Sequence, residues 1–184
     1  MTRKTGYVWH EQYAWHDTGT HAGVFPSGGH VQPLANFESP ESKARMASLV
    51  EVSGMINNLT RIKATPVTDE DLLRVHTPEH IERIRTQSDT TGGDAGDGFP
   101  PLGRGSFELA KLAAGGTLAA AEAVLAGEVD NAYALVRPPG HHAEPDQGRG
   151  YCLFANVPVT IESLRARGLV QRVAIFDYDV HHGN

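Results

Sequence analysis

One cysteine in 184 residues, Cys152, excludes an intrachain disulfide. A chain without a disulfide framework fits a reducing compartment, and the cytoplasm is the expected location. No run approaches the roughly 18 consecutive apolar residues that span a bilayer. The opening MTRKTGYVWHEQYAWH has two early basic residues but no apolar run behind them, so neither a membrane partner nor a secretory signal is expected. Basic residues are the minority: 16 Lys and Arg stand against 22 Asp and Glu, a net charge of −6. Proteins that neutralise phosphates need a basic face, so nucleic acid is not an expected partner. A cationic substrate remains compatible with the acidic balance. There is no internal repeat and no low-complexity tract.

What the chain does have is ordinary globular material, 40% hydrophobic and 21% charged, with 20 Gly and 11 Pro to make turns. Its length suits one domain or part of a larger one. Thr5–Trp9 reads as a first strand, and 10–37 as a long surface loop. Ser39-Pro40-Glu41 opens a helix that Gly54 stops. Thr68 and Asp71 resemble a capping box, and Thr77-Pro78-Glu79 opens the next helix through Ile84. Residues 88–105, rich in Gly, Asp and Pro, read as a loop within one domain rather than a linker. Ser106 is expected to cap an Ala-rich helix to about Ala126, in which Gly115 and Gly116 suit close packing on a sheet. Ala132–Val136 reads as a strand, 157–167 as a helix ended by Gly168, and Val173–Phe176 as a buried strand. The alternation of strand and helix predicts an α/β fold with a parallel sheet flanked by helices.

Two clusters follow two of these strands: Arg137-Pro138-Pro139-Gly140-His141-His142 and Asp177-Tyr178-Asp179-Val180-His181-His182-Gly183-Asn184. Ligands of open α/β sheets bind beyond the carboxyl ends of the strands. In extended chain Asp177, Asp179 and His181 share one side. Asp179 and His181, furthest from the apolar strand, are the candidate ligands for zinc or another divalent first-row metal. Asp177 is placed to accept an imidazole N–H as a buried carboxylate. Metal-assisted amide hydrolysis needs a base and then an acid, and histidine suits both. His142 is the candidate for that work, His141 its electrostatic partner bonded to Asp177, and Asn184 a partner for the far nitrogen of His142. Alone, an HH pair is more often a surface accident, and a D-x-D a solvated turn. Their joint placement at strand ends favours chemistry.

The segments RPPGHHA (137–143), GYCLFANV (150–157) and DYDVHHGN (177–184) resemble, in order and spacing, the signatures of the metal-dependent deacetylases. That family includes class II histone deacetylases, acetylpolyamine amidohydrolases and bacterial histone-deacetylase-like amidohydrolases. LLRVHTPEHIERI (72–84) and ESPESKAR (38–45) resemble its early segments, and Asn184 resembles class II. The resemblance implies an arginase/deacetylase-type α/β fold, with residues 1–184 as the N-terminal part of a single catalytic domain. It implies a single catalytic Zn2+ on Asp179 and His181, with His141 and His142 as the tandem histidines. It implies a structural K+ at Asp177, with oxygens of Asp179 and His181. Gly150 and Tyr151 would line an acyl-lysine channel, Tyr151 standing where the family has Phe, and Asp97 would be a rim aspartate. A second Asp ligand and an oxyanion-holding Tyr would lie beyond Asn184, so the sequence reads as part of a longer enzyme or as one that another chain completes.

The expected substrate is an acylated amine: acetyl-lysine, an acetylpolyamine or another small amide. The rivals are a manganese ureohydrolase of the same fold and a catalytically incomplete fragment that only binds. A homo-oligomer is left open. His76 and His80 read as packing or capping groups, since no H-E-x-x-H glutamate accompanies them. Trp15 and His16 read as loop anchors or rim groups. His10, His21 and His30 read as structural or surface residues, with His21 at most near a pocket mouth. Cys152 reads as a small buried apolar residue.

Overall fold

The computed structural model describes residues 3–22 and 25–184. Strand β1 (Thr5–Val8) sends alternate side chains to opposite faces. Tyr7 packs with Ala47 and Leu135, and Val8 with Tyr13, Leu112 and Ala113. A 3-10 turn, Glu11–Trp15, begins where His10 Nδ1 accepts from the Gln12 N–H at 3.2 Å. Strands β2 (Thr20–Ala22), β3 (Phe25–Pro26) and β4 (Leu34–Ala35) then make a small antiparallel sheet in the order β3-β2-β4. The region expected as loop therefore carries structure of its own. The expectation for the His21 side chain lies outside what the structure describes.

Helix α1 (Pro40–Val52) starts at the Ser39-Pro40 signal and ends at Ser53, with Gly54 in the left-handed region at φ 75°. Strand β5 (Leu59–Arg61) is short and was not legible in the sequence. Helix α2 (Asp69–Leu73) has the full capping box. Thr68 Oγ1 accepts from the Asp71 N–H at 3.1 Å, and Asp71 Oδ2 from the Thr68 N–H at 3.0 Å. Helix α3 (Pro78–Asp89) is capped by Thr77, whose Oγ1 accepts from the His80 N–H. Strands β6 (Gly93–Asp94) and β7 (Pro101–Leu102) pair within 88–105. Ala95 and Leu102 there are buried in the core, so the segment is a packed loop and not a linker.

Helix α4 (Ser106–Leu125) corrects one expectation. Gly105, at φ 82°, holds the cap position. Ser106 is fully buried as the first helical residue, its Oγ 2.8 Å from His16 Nδ1 and accepting from the Gly103 N–H. Strand β8 (Asn131–Ala134) and helix α5 (Asn156–Ala166) complete the order.

The main sheet is parallel, in the order β5-β1-β8, with Gly6 opposite both Thr60 and Ala132. α1 covers one face and α4 the other. Gly115 and Gly116 cost α4 roughly 1 kcal/mol each in propensity, and the packing explains them. A Cβ at Gly116 would strike Tyr13, Val8 and Val136, and one at Gly115 the Thr65 carbonyl. Behind α4, the helices α2, α3 and α5 close a second core around Leu72, Ile84, Phe107, Phe154 and Val159. The expected buried strand at Val173–Phe176 is not formed: Ile175 is 62% and Phe176 86% exposed, and no described strand pairs with them. Apolar composition suits a strand, but a strand exists only where a neighbour takes its backbone hydrogen bonds.

Candidate active site

The end of β8 is fastened by Arg137, whose side chain is wholly buried. Its Nε donates to Glu38 Oε2 at 2.8 Å and Oε1 at 3.0 Å, its Nη1 to the carbonyls of Tyr13 and His16, and its Nη2 to the Glu38 carbonyl. One guanidinium thus ties the first loop, the start of α1 and the end of β8 together. Beyond it, Asn156 Nδ2 donates to the Pro138 carbonyl at 3.1 Å. Gly140 lies so close to Asn156 that a Cβ would collide with it. The chain therefore leaves the strand on a fixed path and delivers His141 and His142 with ring centroids 4.0 Å apart.

Each imidazole has its own orienting partner. His141 Nδ1 is 3.0 Å from Asp177 Oδ2, and His142 Nδ1 is 3.1 Å from Asn184 Oδ1. Both partners accept, so both rings carry hydrogen on Nδ1 and keep the Nε2 lone pair when neutral. The Asn184 N–H also donates to the His141 carbonyl at 2.8 Å, which clamps the second cluster to the first. The expected contacts of His141 with Asp177 and of His142 with Asn184 are both present. Asp177 is not the buried carboxylate of the sequence reading, however, since its side chain is 38% exposed. The Asp179 N–H and the His141 ring, both bonded to it, hold its carboxyl below the usual carboxylate range.

Segment 177–184 curls rather than running straight. Asp177 Oδ1 accepts from the Asp179 N–H at 3.0 Å, and Asp179 Oδ1 from the His181 N–H at 2.8 Å. These turns bring His181 Nδ1 to 3.0 Å from Asp179 Oδ1. A nitrogen and a carboxylate oxygen so converged are a donor pair of the kind zinc takes. The Asp179 carboxyl is held low, first by the His181 N–H and then by its ring. Among the described residues, no three His, Cys, Asp or Glu side chains group as a metal site, so this pair is a partial donor set. A cleft of about 1060 Å³ opens beside it, between segment 175–184 and a floor that includes Thr117, Ala134, Val136 and Val157. His141, Asp179 and His181 line this cleft.

Gly150 lies against the His142 ring, where a Cβ would strike Cδ2, and its φ of 48° is in the left-handed region. Tyr151 is the one non-glycine residue of positive φ among those described, at 69°. Its hydroxyl is buried without a hydrogen-bond partner, and burial raises its pKa. Cys152 is buried, accepts weakly from the His142 N–H at 3.4 Å, and has its thiol pushed up to about 12 by burial. Asp97 is not among the residues that line the cleft, and its Oδ2 lies 3.6 Å from Arg149 Nη1.

His76 and His80 do more than fill space. His76 Nδ1 donates to the Glu144 carbonyl at 3.1 Å and its Nε2 accepts from the Ala155 N–H at 2.9 Å; His80 Nε2 donates to the Leu153 carbonyl at 2.8 Å. They pin the start of α3 and the residue before its cap to the segment 144–155 that backs the site. The sequence carried no signal for these contacts, which join residues about 70 positions apart. Trp15 is exposed, whereas His16 is buried against Ser106 and so is an anchor.

The model of the histone deacetylase domain matches residues 36–184. The chain is 52% identical over 187 residues to a histone deacetylase-like amidohydrolase of Pseudomonas aeruginosa, covering 100% of this chain and 49% of that one. It is 37% identical over 180 residues to a probable deacetylase of Archaeoglobus fulgidus, covering 98% and 46%. The crystal structure of the HDA15 HD domain superposes with a TM-score of 0.76 at 29% identity, over 90% of this chain and 44% of that one. The fold is the α/β fold of that neighbour, and the chain belongs to the histone deacetylase domain family. It spans about half the length of these relatives.

Proposed function

We propose that residues 1–184 are the N-terminal part of the single catalytic domain of an amide hydrolase. It would remove acetyl or other acyl groups from lysine side chains or polyamines in the cytoplasm. The observation that carries this reading is the tandem pair at the end of β8: two imidazoles, each oriented through Nδ1 by its own acceptor, beside the converged donors of Asp179 and His181. The relatives from Pseudomonas aeruginosa and Archaeoglobus fulgidus, an amidohydrolase and a probable deacetylase by name, support the same reaction class.

Asp179 and His181 fit as two of the protein ligands of a zinc ion, the third lying in the part of the domain beyond Asn184. When bound, zinc supplies polarisation of the acyl carbonyl and acidification of water. His142, with Nδ1 committed to Asn184, takes a proton from the attacking water on Nε2 and returns it to the leaving amine nitrogen. His141, paired with Asp177, steadies the positive charge that His142 gains. Gly150, held against the His142 ring, and Tyr151 form the wall of the acyl channel, and Asp97 belongs to its rim. The oxyanion-holding tyrosine also belongs to the remainder of the domain. A potassium ion near Asp177 is part of the proposal; each oxygen of that carboxylate accepts one hydrogen bond and has a further lone pair to offer.

A second reading is a unit that only binds, with which the two-residue donor set of Asp179 and His181 is also compatible. The wild type and one variant together separate the two. In the full-length protein, His142→Ala is expected to abolish hydrolysis of a fluorogenic acetyl-lysine peptide while zinc content stays at the wild-type level. Undiminished turnover in that variant would overturn the assignment, and absence of turnover in the wild type would favour the binding reading.

A further inference from the structure

We propose that Glu144 is a positioning residue for His142: it fixes which end of the Asn184 amide faces the imidazole, and so which ring nitrogen is left bare for proton transfer. Asn184 Nδ2 donates to Glu144 Oε1 at 3.0 Å, while its Oδ1 faces His142 Nδ1 at 3.1 Å. The oxygen and nitrogen of an amide are nearly the same size, so packing alone does not choose between its two orientations. Glu144 does choose. An ionised carboxylate only accepts, so the amide must give it the NH₂ end and turn the oxygen to His142.

That choice has a chemical consequence. Facing an oxygen, Nδ1 of His142 must carry hydrogen, and the neutral ring keeps its lone pair on Nε2. With the amide reversed, the NH₂ group would need the lone pair of Nδ1, and the hydrogen would move to Nε2. The ring would then meet the substrate as a donor where a base is required.

The carboxylate sits on a fixed stalk. The Glu144 N–H donates to the Gln147 carbonyl at 2.9 Å, and the Glu144 carbonyl accepts from His76. Arg149 forms an ion pair with the same carboxylate, its Nε 2.8 Å from Oε1, and Arg149 Nη1 lies 3.6 Å from Asp97. Asn184 is held from its other side through its backbone N–H on His141. The Glu144 carboxylate thus meets His142 through the Asn184 amide.

The inference rests on the reading of His142 as the proton carrier, but one arm of its test does not. Ring ¹⁵N shifts of His142 in the full-length protein report which nitrogen carries hydrogen. The wild type and Glu144→Gln, whose amide oxygen still accepts from Asn184, are expected to show hydrogen on Nδ1. Glu144→Leu is expected to show a large Nε2–H population. In peptide hydrolysis, Glu144→Gln should keep kcat within about threefold, whereas Glu144→Leu should lose at least about tenfold in kcat with KM within about twofold.

Should Glu144→Leu fail to fold, Asn184→Asp tests whether the contact between the two side chains matters to catalysis. That variant sets two acceptors face to face, and adding Glu144→Gln, which can donate, should raise its activity. Wild-type tautomer and kcat in Glu144→Leu, equal losses in the Gln and Leu variants, or no rescue in the double variant would overturn the inference. A protein with the expected tautomers and no amidase activity would instead sink the reading of the function and leave the role of Glu144 standing.

Discussion

The Arg137 guanidinium and the Glu38 carboxylate, 99 positions apart, form an ion pair in which the two side chains are 0% and 5% exposed. Breaking such a pair from one side strands a charge in the interior, at a cost of about 3–5 kcal/mol. Glu38→Ala is therefore expected to lose that much stability in urea unfolding, and to disturb the tandem histidines that Arg137 anchors. Lys43 also reaches Glu38, at 3.0 Å, but is 27% exposed. Lys43→Ala should cost no more than about 1 kcal/mol. Equal costs for the two would refute the distinction.

Stability should fall with mild acid before most carboxylates titrate. Burial lowers His76 from 6.5 to about 4, helped by His80, and lowers His16 to about 3, helped by Arg137. Both rings stay neutral in the folded chain, whereas the unfolded chain takes up their protons from pH 6.5 downward. The unfolded state then binds more protons, so stability is complete above pH 6.5. It declines toward about pH 4 for His76 and about pH 3 for His16, by up to about 1.4 kcal/mol per pH unit for each group. Urea midpoints between pH 7.5 and 5 should show the slope, and His76→Gln should flatten it. A variant profile parallel to that of the wild type would contradict the assignment.

How far the sequence foretells this molecule depends on how local each device is. The Thr68–Asp71 box, the Thr77-Pro78 start and the Gly54 stop are complete within four residues, and all three stand where the pattern predicts. Ser106 misleads because a serine beside a helix start is usually a cap. Here a left-handed Gly105 takes that position, and the hydroxyl turns to His16, 90 residues away. The first site cluster stands beyond β8 as the strand-end reading predicts, whereas the second follows no described strand and meets the first through the contacts of Asp177 with His141 and of Asn184 with His142. The groups that fix them, Glu38 on Arg137 and Glu144 on Asn184, act across 99 and 40 positions and leave no local pattern.

Gly150 should prove more sensitive than its conformation alone requires. A left-handed residue with a Cβ costs roughly 1–2 kcal/mol. Gly127, at φ 72° with nothing near an added Cβ, isolates that cost. A Cβ at Gly150 additionally strikes the His142 ring. Gly127→Ala is expected to lose stability and keep activity, and Gly150→Ala to lose about tenfold or more in kcat as well. Equal activities in the two variants would show that contact with His142 does not matter.

The Cys152 thiol, buried and pushed up to about 12, should resist alkylation at pH 8 in the native protein and react only on unfolding. Mass spectrometry after iodoacetamide treatment reads this directly. Rapid labelling of the folded protein would contradict the packing at the site.

The central claim is that the converged Asp179 and His181 hold a metal on which amide hydrolysis depends. The direct measurement is turnover of an acetyl-lysine peptide by the full-length protein before dialysis against a chelator, after it, and after zinc is restored, in parallel with Asp179→Ala. The account predicts loss on chelation, recovery with zinc, and neither activity nor stoichiometric zinc in the variant. Undiminished hydrolysis by the metal-stripped protein would contradict it.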